Sequence, residues 1–373
     1  MPETTEEKDG GKSATHIHGH DKSGDLFKGG FPQLYAIEGA VVGGYERQSA
    51  NTAMLLDSYL PFGMKDLSVA DIGCAYGTTT KQLARFDPKW IFACDNSPDM
   101  IELAHLATSS TVGVAQWLES HDGRKILGEY FDTVVRFISG RRDEFQQGRF
   151  AAHRGVAALT LQVAGLMDLK LNLRFSGVVL NNVFHWPVNQ LRAQMPGGTL
   201  DPVTVGPATA TAFARIAKIL VKHGVAVLQE PKDFVTCDEP ELEEYCEAHT
   251  LATHPVFRAV HETLNRLLME RHGITRTVPK SSGMFHLSKM SDWAAEGGLQ
   301  LEKWVHMEDC DLGDSLEWCA IRLLIWMGAV ELPFDEKLKL ASDTYEYCAK
   351  TLSDTDRYRP MRQQSFYFVL KKQ

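Results

Sequence analysis

The chain has 373 residues, of which 44% are hydrophobic and 23% charged, and its net charge is −9 at pH 7. This composition is typical of a globular protein long enough for one large domain with insertions or for two domains. The acidic balance without basic runs argues against a nucleic-acid partner, no apolar run reaches the ~20 residues of a membrane span, and seven cysteines without CxxC pairs favour a reduced, cytoplasmic protein.

The N-terminal residues 1–25 are rich in Glu, Lys, Gly, Ser and His and have almost nothing to bury, which predicts a disordered tail. The tail contains His16, His18 and His20, which form either a metal-binding tract or part of a solvated segment. Because no acid or cysteine completes a site, the solvated segment is favoured and no metal site is predicted.

From Asp66 onward, apolar strands alternate with helical patterns. The segment LSVADIG predicts a strand, and TTTKQLARF predicts a helix with a threonine as its N-cap. The segment KWIFACD predicts a second strand that ends at Asp95, and the next helix has Pro98 in its first turn. This βαβα unit implies a parallel sheet.

Further short apolar strands are predicted at GVVLNN, at GVAVLQEP and at the C-terminal SFYFVLKKQ. Between the first two of these strands, ATAFARIAKILVKHG has the apolar spacing of an amphipathic helix, and Gly224 is its predicted end. The alternation of strands and helices predicts an α/β fold.

The loop after the first strand, DIGCAYGTTT, predicts a cofactor site. It places Asp71, Gly73, Ala75 and Gly77 at the carboxyl end of a parallel strand, where open α/β sheets bind ligands. Small residues let the backbone approach a ligand closely, and the following helix offers free N–H groups. Asp95, at the end of the next strand, is placed to hold a ribose diol. The spacing is not GxGxxG, and no P-loop motif is present.

This acid-x-Gly-x-small-x-Gly loop with an acid on the second strand resembles the class I methyltransferase pattern, which binds S-adenosylmethionine (SAM). Two further segments, GGYERQSANTAM and GVVLNNVFHWPVNQ, narrow the resemblance. In their order along the chain, the three segments are similar to the GG…SYAxNSxxQ, DLGCSSGPNT and SSYSLHW segments of the SABATH family of salicylic acid, benzoic acid and theobromine methyltransferases. The resemblance runs from about residue 40 to the end.

The resemblance implies a class I methyltransferase (Rossmann-like) α/β fold, in which a mostly parallel seven-stranded sheet carries a helical lid built from insertions. The SAM-binding core would span residues 66–373, with lid insertions at about 109–157, 232–284 and 312–356. Residues 26–65 would close over the cofactor. The resemblance also implies a homodimer that acts on a small molecule.

Residue by residue, the resemblance implies a SAM site in which Asp71, Gly73 and Gly77 line the methionine end. Tyr45 and Ser49 would close over that end, and Asp95 would bind the ribose hydroxyls. Leu166 and Met167 stand where the family has a Ser-Phe pair that flanks the adenine. The full set of cofactor residues that the resemblance implies is Tyr45, Ser49, Asp71, Gly73, Gly77, Asp95, Asn96, Leu166 and Met167.

For the acceptor, Trp186 matches the family tryptophan whose indole N–H contacts the substrate carboxylate, and His185 precedes it. Thr52 and Asn182 stand where the family has a carboxylate-binding Gln and a pocket Tyr, and Phe285 is assigned to an apolar slot under the lid. His185 is either a proton acceptor for an N–H or phenol substrate or a histidine with only a structural hydrogen bond.

The predicted function is SAM-dependent methyl transfer to a carboxylate oxygen of a small apolar acid. A carboxylate is ionised at pH 7 and needs an orienting donor rather than a general base, and the indole N–H of Trp186 is such a donor. The alternatives are N-, phenol O- or C-methyl transfer to a small natural product and, last, a non-catalytic SAM-fold interaction protein.

Overall fold

The computed structural model describes Tyr35 and residues 43–109, 158–169, 172–249, 251–275, 283–327 and 330–373. The predicted tail with its histidine tract and nearly all of the first predicted insertion, 109–157, lie outside these residues.

The described residues form an alternating series of helices and strands. The helices are α1 (Gly43–Tyr59), α2 (Thr78–Ala84), α3 (Pro98–Ser109), α4 (His185–Ala193), α5 (Val205–Ile219), α6 (Pro240–Ala248), α7 (Pro255–His272), α8 (Leu287–Glu296), α9 (Ser315–Trp326), α10 (Phe334–Thr351) and α11 (Asp354–Arg357). The strands are β1 (Ser68–Ile72), β2 (Trp90–Asp95), β3 (Leu159–Val163), β4 (Phe175–Asn181), β5 (Leu220–Pro231), β6 (Val235–Thr236), β7 (Phe285–His286), β8 (Leu299–Asp314) and β9 (Pro360–Lys372).

Seven of these strands form one sheet in the order β3-β2-β1-β4-β5-β9-β8. Strands β1 to β5 pair in parallel, and β9 runs antiparallel to both of its neighbours. The prediction of an α/β fold with a mostly parallel seven-stranded sheet is therefore confirmed. The strand order reverses between β1 and β4, and the carboxyl ends of these two strands border the crevice in which open α/β sheets bind ligands.

Both faces of the sheet are covered, which explains why its central strands are almost continuously apolar. On one face, α4, α5 and α8 pack over a cluster that contains the stacked rings of Phe184 and Phe213, whose centroids are 4.9 Å apart. On the other face, α1 buries Ala53 and Leu56 against Val179 and Tyr367. The helix that covers this second face comes from the segment that was predicted to close over the cofactor.

Helices from the second and third predicted insertions pack on one another. Helices α7, α9 and α10 share an apolar cluster that also includes Tyr76, Met100 and Leu103. Tyr76 belongs to the loop after β1, and Met100 and Leu103 belong to α3, which follows β2. The insertion helices therefore pack against a residue of the predicted cofactor loop.

Two boundaries differ from the prediction. Helix α5 ends at Ile219, and strand β5 already begins at Leu220, which pairs with Phe175. Gly224 therefore lies inside β5 and does not end the helix. Leu220 continues the apolar spacing of the helix, but it pairs with Phe175 as the first residue of the strand. The N-cap of helix α2 is Gly77 rather than a threonine, and no side-chain hydrogen bond caps this helix.

Candidate cofactor and active site

The loop after β1 follows a backbone path that favours small residues. Gly73, Ala75 and Gly77 have positive φ angles of 75°, 45° and 88°. The N–H groups of Gly73 and Cys74 both donate to the Cys94 carbonyl, at 2.7 and 2.9 Å, which ties the start of the loop to β2. The loop therefore turns sharply at the carboxyl end of β1.

Asp95 connects this loop to the one after β2. Its Oδ2 accepts from the Ala75 N–H at 3.1 Å, and its Oδ1 accepts from the Ser97 N–H at 2.9 Å. Its side chain is half-buried, and burial raises the pKa of the carboxyl group. Asn96, the next residue, is exposed. Asp95 thus stands in a fixed orientation at the edge where the prediction places the ribose of a nucleoside.

Gly73 also has a tight packing requirement. A Cβ atom at this position would lie 2.4 Å from Cγ2 of Val183, which follows β4. Gly73→Ala is expected to destabilise the fold by about 2–4 kcal/mol, through left-handed backbone strain and overpacking. The measurement is the free energy of unfolding in urea.

Gly273→Ala is the matched control for this prediction. Gly273 ends α7 with a φ of 65°, and no described atom lies within 4 Å of the Cβ that alanine would add. The control should lose only about 1 kcal/mol, which is the cost of the backbone conformation alone. Equal losses in the two variants would contradict the clash with Val183.

Asp71, at the end of β1, is completely buried. Its Oδ2 accepts a hydrogen bond of 2.7 Å from the Thr80 hydroxyl, whereas its Oδ1 has no hydrogen-bond partner among the described residues. Burial, assisted by the negative charge of Asp95, raises the pKa of Asp71 from 3.8 to about 7. A buried acid with a free oxygen is poised to accept a hydrogen bond from a cationic donor, which would also favour its ionised form.

The raised pKa makes a prediction about stability in the absence of a ligand. Because the folded protein holds this proton more tightly than the unfolded chain does, the contribution of Asp71 to stability falls as the pH rises from about 4 to about 7. Asp71→Asn resembles the protonated acid. We expect it to match the wild type at pH 4 and to be more stable by roughly 1–4 kcal/mol above pH 7.

Urea denaturation of both proteins from pH 4 to pH 8 checks this prediction. Asp87→Asn is the control, because Asp87 is exposed and already has a positive φ that asparagine tolerates. The difference in unfolding free energy between this control and the wild type should not grow with pH. A difference between Asp71→Asn and wild type that stays constant over the whole range would contradict the raised pKa.

A buried polar cluster joins α1 to the start of α2. Asn181, at the end of β4, donates to the hydroxyls of Ser49 and Thr79 at 3.1 and 3.0 Å, and its Oδ1 accepts from Thr52 at 3.2 Å. Ser49 and Thr52 are buried, so the structure uses their hydroxyls inside the fold. Asn181 was not predicted, although its place at a strand end was a usable signal.

The other predicted cofactor residues lie in different surroundings. Tyr45 is half-buried and packs against the apolar cluster of α7, α9 and α10, with its ring 6.5 Å from that of Tyr35. Leu166 is buried in the main core, and Met167 is half-buried, with its carbonyl bound by the Arg215 guanidinium. Leu166 therefore has a packing role in this structure, whether or not it also flanks a cofactor.

At the carboxyl end of β4, His185 is the first residue of α4, and Glu230 from β5 holds it. The imidazole Nδ1 lies 2.8 Å from Glu230 Oε2, and the backbone N–H of His185 donates to Glu230 Oε1 at 3.1 Å. The ring stacks on Phe234 with centroids 3.9 Å apart, and the half-buried Trp186 ring lies 5.1 Å away. Sequence reasoning missed Glu230, although an acid at the end of a central parallel strand was a signal.

Two predicted substrate residues have structural contacts within the fold. Phe285 is fully buried, and its ring packs 5.5 Å from that of Phe184, so the structure gives it a place in the core. Asn182 is half-buried with a φ of 55°, and its N–H donates to the Gln229 carbonyl at 2.8 Å. The turn after β4 therefore depends on Asn182 for its backbone conformation, which asparagine adopts more readily than most residues.

Metal-ligating clusters and membrane-spanning helices are both absent from the described residues. No group of three or more His, Cys, Asp or Glu side chains in those residues has an arrangement that could hold a metal ion. No helix there is both long enough and apolar enough to cross a bilayer.

No protein-family model and no curated protein sequence matches the chain. Solved structures resemble it over most of its length. A loganic acid methyltransferase with SAH has a TM-score of 0.49 and 11% identity, covering 92% of this chain and 94% of that one. The cyclopropane synthase MmaA2 from Mycobacterium tuberculosis has a TM-score of 0.41 and 14% identity, with coverages of 86% and 83%. The mycolic acid cyclopropane synthase CmaA1 has a TM-score of 0.40 and 12% identity, with coverages of 87% and 88%. With TM-scores below 0.5, these likenesses carry no weight in assigning a function.

Proposed function

We propose that this protein is a SAM-dependent methyltransferase that acts on a small molecule. The observation that carries the proposal is the position of Asp95 at the end of β2, where its carboxylate binds the Ala75 N–H of the glycine-containing loop after β1. The loop after β1 borders the crevice between β1 and β4, the usual ligand site of an open α/β sheet, and Asp95 lies on the neighbouring strand β2.

The residues present fit SAM. The cofactor carries a sulfonium, an ammonium group and a ribose diol, so it presents positive charge and hydrogen-bond donors. Asp95 offers carboxylate oxygens to the diol, and the unpartnered Oδ1 of Asp71 is an acceptor of matching chemistry for a cationic donor. When bound, SAM would supply an activated methyl group. The chain's own residues have to hold the acceptor in line and exclude water.

For the acceptor, we propose a carboxylate oxygen of a small apolar acid, in line with the resemblance to SABATH methyltransferases. The support is Trp186, which lies half-buried in the first turn of α4 at the carboxyl end of β4. Its indole N–H is a donor that could orient an ionised carboxylate, which needs no proton removed. The lid helices packed against Tyr76 would limit the entry of water.

A second candidate is methyl transfer to a phenol or an amine, and the contact between His185 and Glu230 favours it. A carboxylate that accepts from Nδ1–H leaves Nε2 as the ring nitrogen without a hydrogen, which is the form of imidazole that can act as a base. An acceptor that reacts through an O–H or N–H group needs such a base. Glu230 also adds negative charge beside the acceptor site, which disfavours an anionic substrate.

Calorimetry with SAM, followed by turnover assays with a panel of small acids, phenols and amines, tests the proposal. We expect SAM binding and methyl transfer to at least one acid. Transfer only to phenols or amines would select the second candidate. SAM binding without turnover on any member of the panel would favour a non-catalytic interaction protein, and the absence of SAM binding would refute the proposed function.

A further inference from the structure

We infer that Glu230 is a positioning residue that keeps the hydrogen on Nδ1 of His185 and fixes the direction of the imidazole ring. This inference rests on the proposed function in taking His185 as part of the acceptor site. Glu230 lies at the carboxyl end of β5, and its side chain is 0% exposed, while His185 is 4% exposed. The two residues therefore meet in a region with little access for water.

The carboxylate determines which ring nitrogen carries the hydrogen. Glu230 Oε1 accepts from the backbone N–H of His185 at 3.1 Å, and Oε2 lies 2.8 Å from Nδ1. An ionised carboxylate only accepts hydrogen bonds, so Nδ1 must be the donor in this contact. In the neutral ring, Nε2 is then the nitrogen that carries no hydrogen.

One further contact restricts the ring. Phe234 stacks on the imidazole with a centroid distance of 3.9 Å and an interplanar angle of 11°, which opposes tilting. Because Glu230 binds the backbone as well as the ring of His185, it fixes the start of α4 and the imidazole together. Trp186 is the next residue on that helix, so the contact between Glu230 and the His185 backbone also helps to position Trp186.

A purely structural role is the competing explanation, because Glu230 also caps the N-terminus of α4. Glu230→Gln separates the two roles. Glutamine has a single acceptor oxygen, and the backbone N–H of His185 requires it, so the amide N–H₂ would face Nδ1. Nδ1 would then have to accept, and the hydrogen would move to Nε2.

Nitrogen NMR of protein labelled with ¹⁵N-histidine at pH 8 measures this directly. The chain has 14 histidines, and comparison with His185→Gln assigns the His185 signals. We expect Nδ1–H in the wild type and in Glu230→Asp, and Nε2–H in Glu230→Gln. A wild-type ring that carries its hydrogen on Nε2 alone would overturn the inference, and so would a Glu230→Gln ring that keeps Nδ1–H. Once His185→Gln has assigned the signals, the wild-type spectrum decides the question even if neither Glu230 variant folds.

Kinetics of the double variant provide a second readout once an acceptor is known. If Glu230 acts through His185, Glu230→Gln lowers kcat/KM by about the same factor as His185→Gln, and the double variant loses no more than the worse single one, within roughly threefold. Losses that multiply would indicate a structural role. The NMR experiment needs no substrate. If the protein transfers no methyl group, the proposed function is refuted, whereas the tautomer of His185 is still decided by NMR.

Discussion

Replacing Asp95 by asparagine is expected to weaken SAM binding by roughly 10- to 150-fold, which corresponds to about 1.5–3 kcal/mol for the loss of a charge-assisted hydrogen bond. The charge is the main loss, because asparagine keeps one acceptor oxygen at the same place. That single oxygen can still bind either the Ala75 or the Ser97 N–H, which the native carboxylate binds together. Calorimetric titration with SAM at fixed salt and pH measures the change.

Asp99→Asn is the matched control for Asp95. Asp99 lies four residues further on, in the first turn of α3, and the prediction gives it no role in the cofactor site. Its replacement should change the SAM dissociation constant less than about twofold, since a charge in this position acts only at a distance. Unchanged affinity in Asp95→Asn, with the fold intact by circular dichroism, would remove Asp95 from the site.

The strand ends that carry this prediction were visible in the sequence. Asp71 and Asp95 each follow an apolar run, and the structure ends β1 and β2 within one residue of them. An apolar run that ends in an acid and small residues is a local pattern, so the sequence alone is enough to predict where such a strand ends. The order of the strands in the sheet is not local, and the resemblance to methyltransferases, rather than the apolar pattern, predicted the seven-stranded arrangement.

The contacts that sequence reasoning missed depend on which strands become neighbours. Glu230 and His185 are 45 residues apart, and they meet because β4 and β5 pair in parallel and end together. The resemblance places Thr52 among the substrate residues, yet packing of α1 on the sheet directs its hydroxyl to Asn181. Phe285 likewise lies in the core, where β7 pairs with β6. Periodicity alone carries no information on such pairings.

The acceptor can be identified by comparing Trp186 with His185. An ionised carboxylate needs an oriented donor and no proton removal, so Trp186→Phe, which keeps most of the ring but deletes the N–H, is expected to lower kcat/KM by roughly 10- to 100-fold. His185→Gln should then cost much less. For a phenol or a protonated amine the order reverses, and His185→Gln should cost on the order of 10²–10⁴-fold, the usual contribution of a general base.

The pH dependence of kcat/KM from pH 6 to pH 9 distinguishes a lost base from a distorted site. With a carboxylate acceptor, the wild type and His185→Gln should show the same flat profile above neutrality, because methyl transfer to an ionised carboxylate removes no proton. With a phenol or amine acceptor, the wild-type profile should contain the limb that a general base produces, and His185→Gln should lose that limb. Glu230 also accepts a hydrogen bond from the backbone N–H of residue 185, and this bond does not depend on the imidazole. The start of α4 should therefore keep its position in His185→Gln, and so should Trp186. A severe loss in His185→Gln beside a mild loss in Trp186→Phe would therefore refute carboxyl methylation and select the base-assisted reaction.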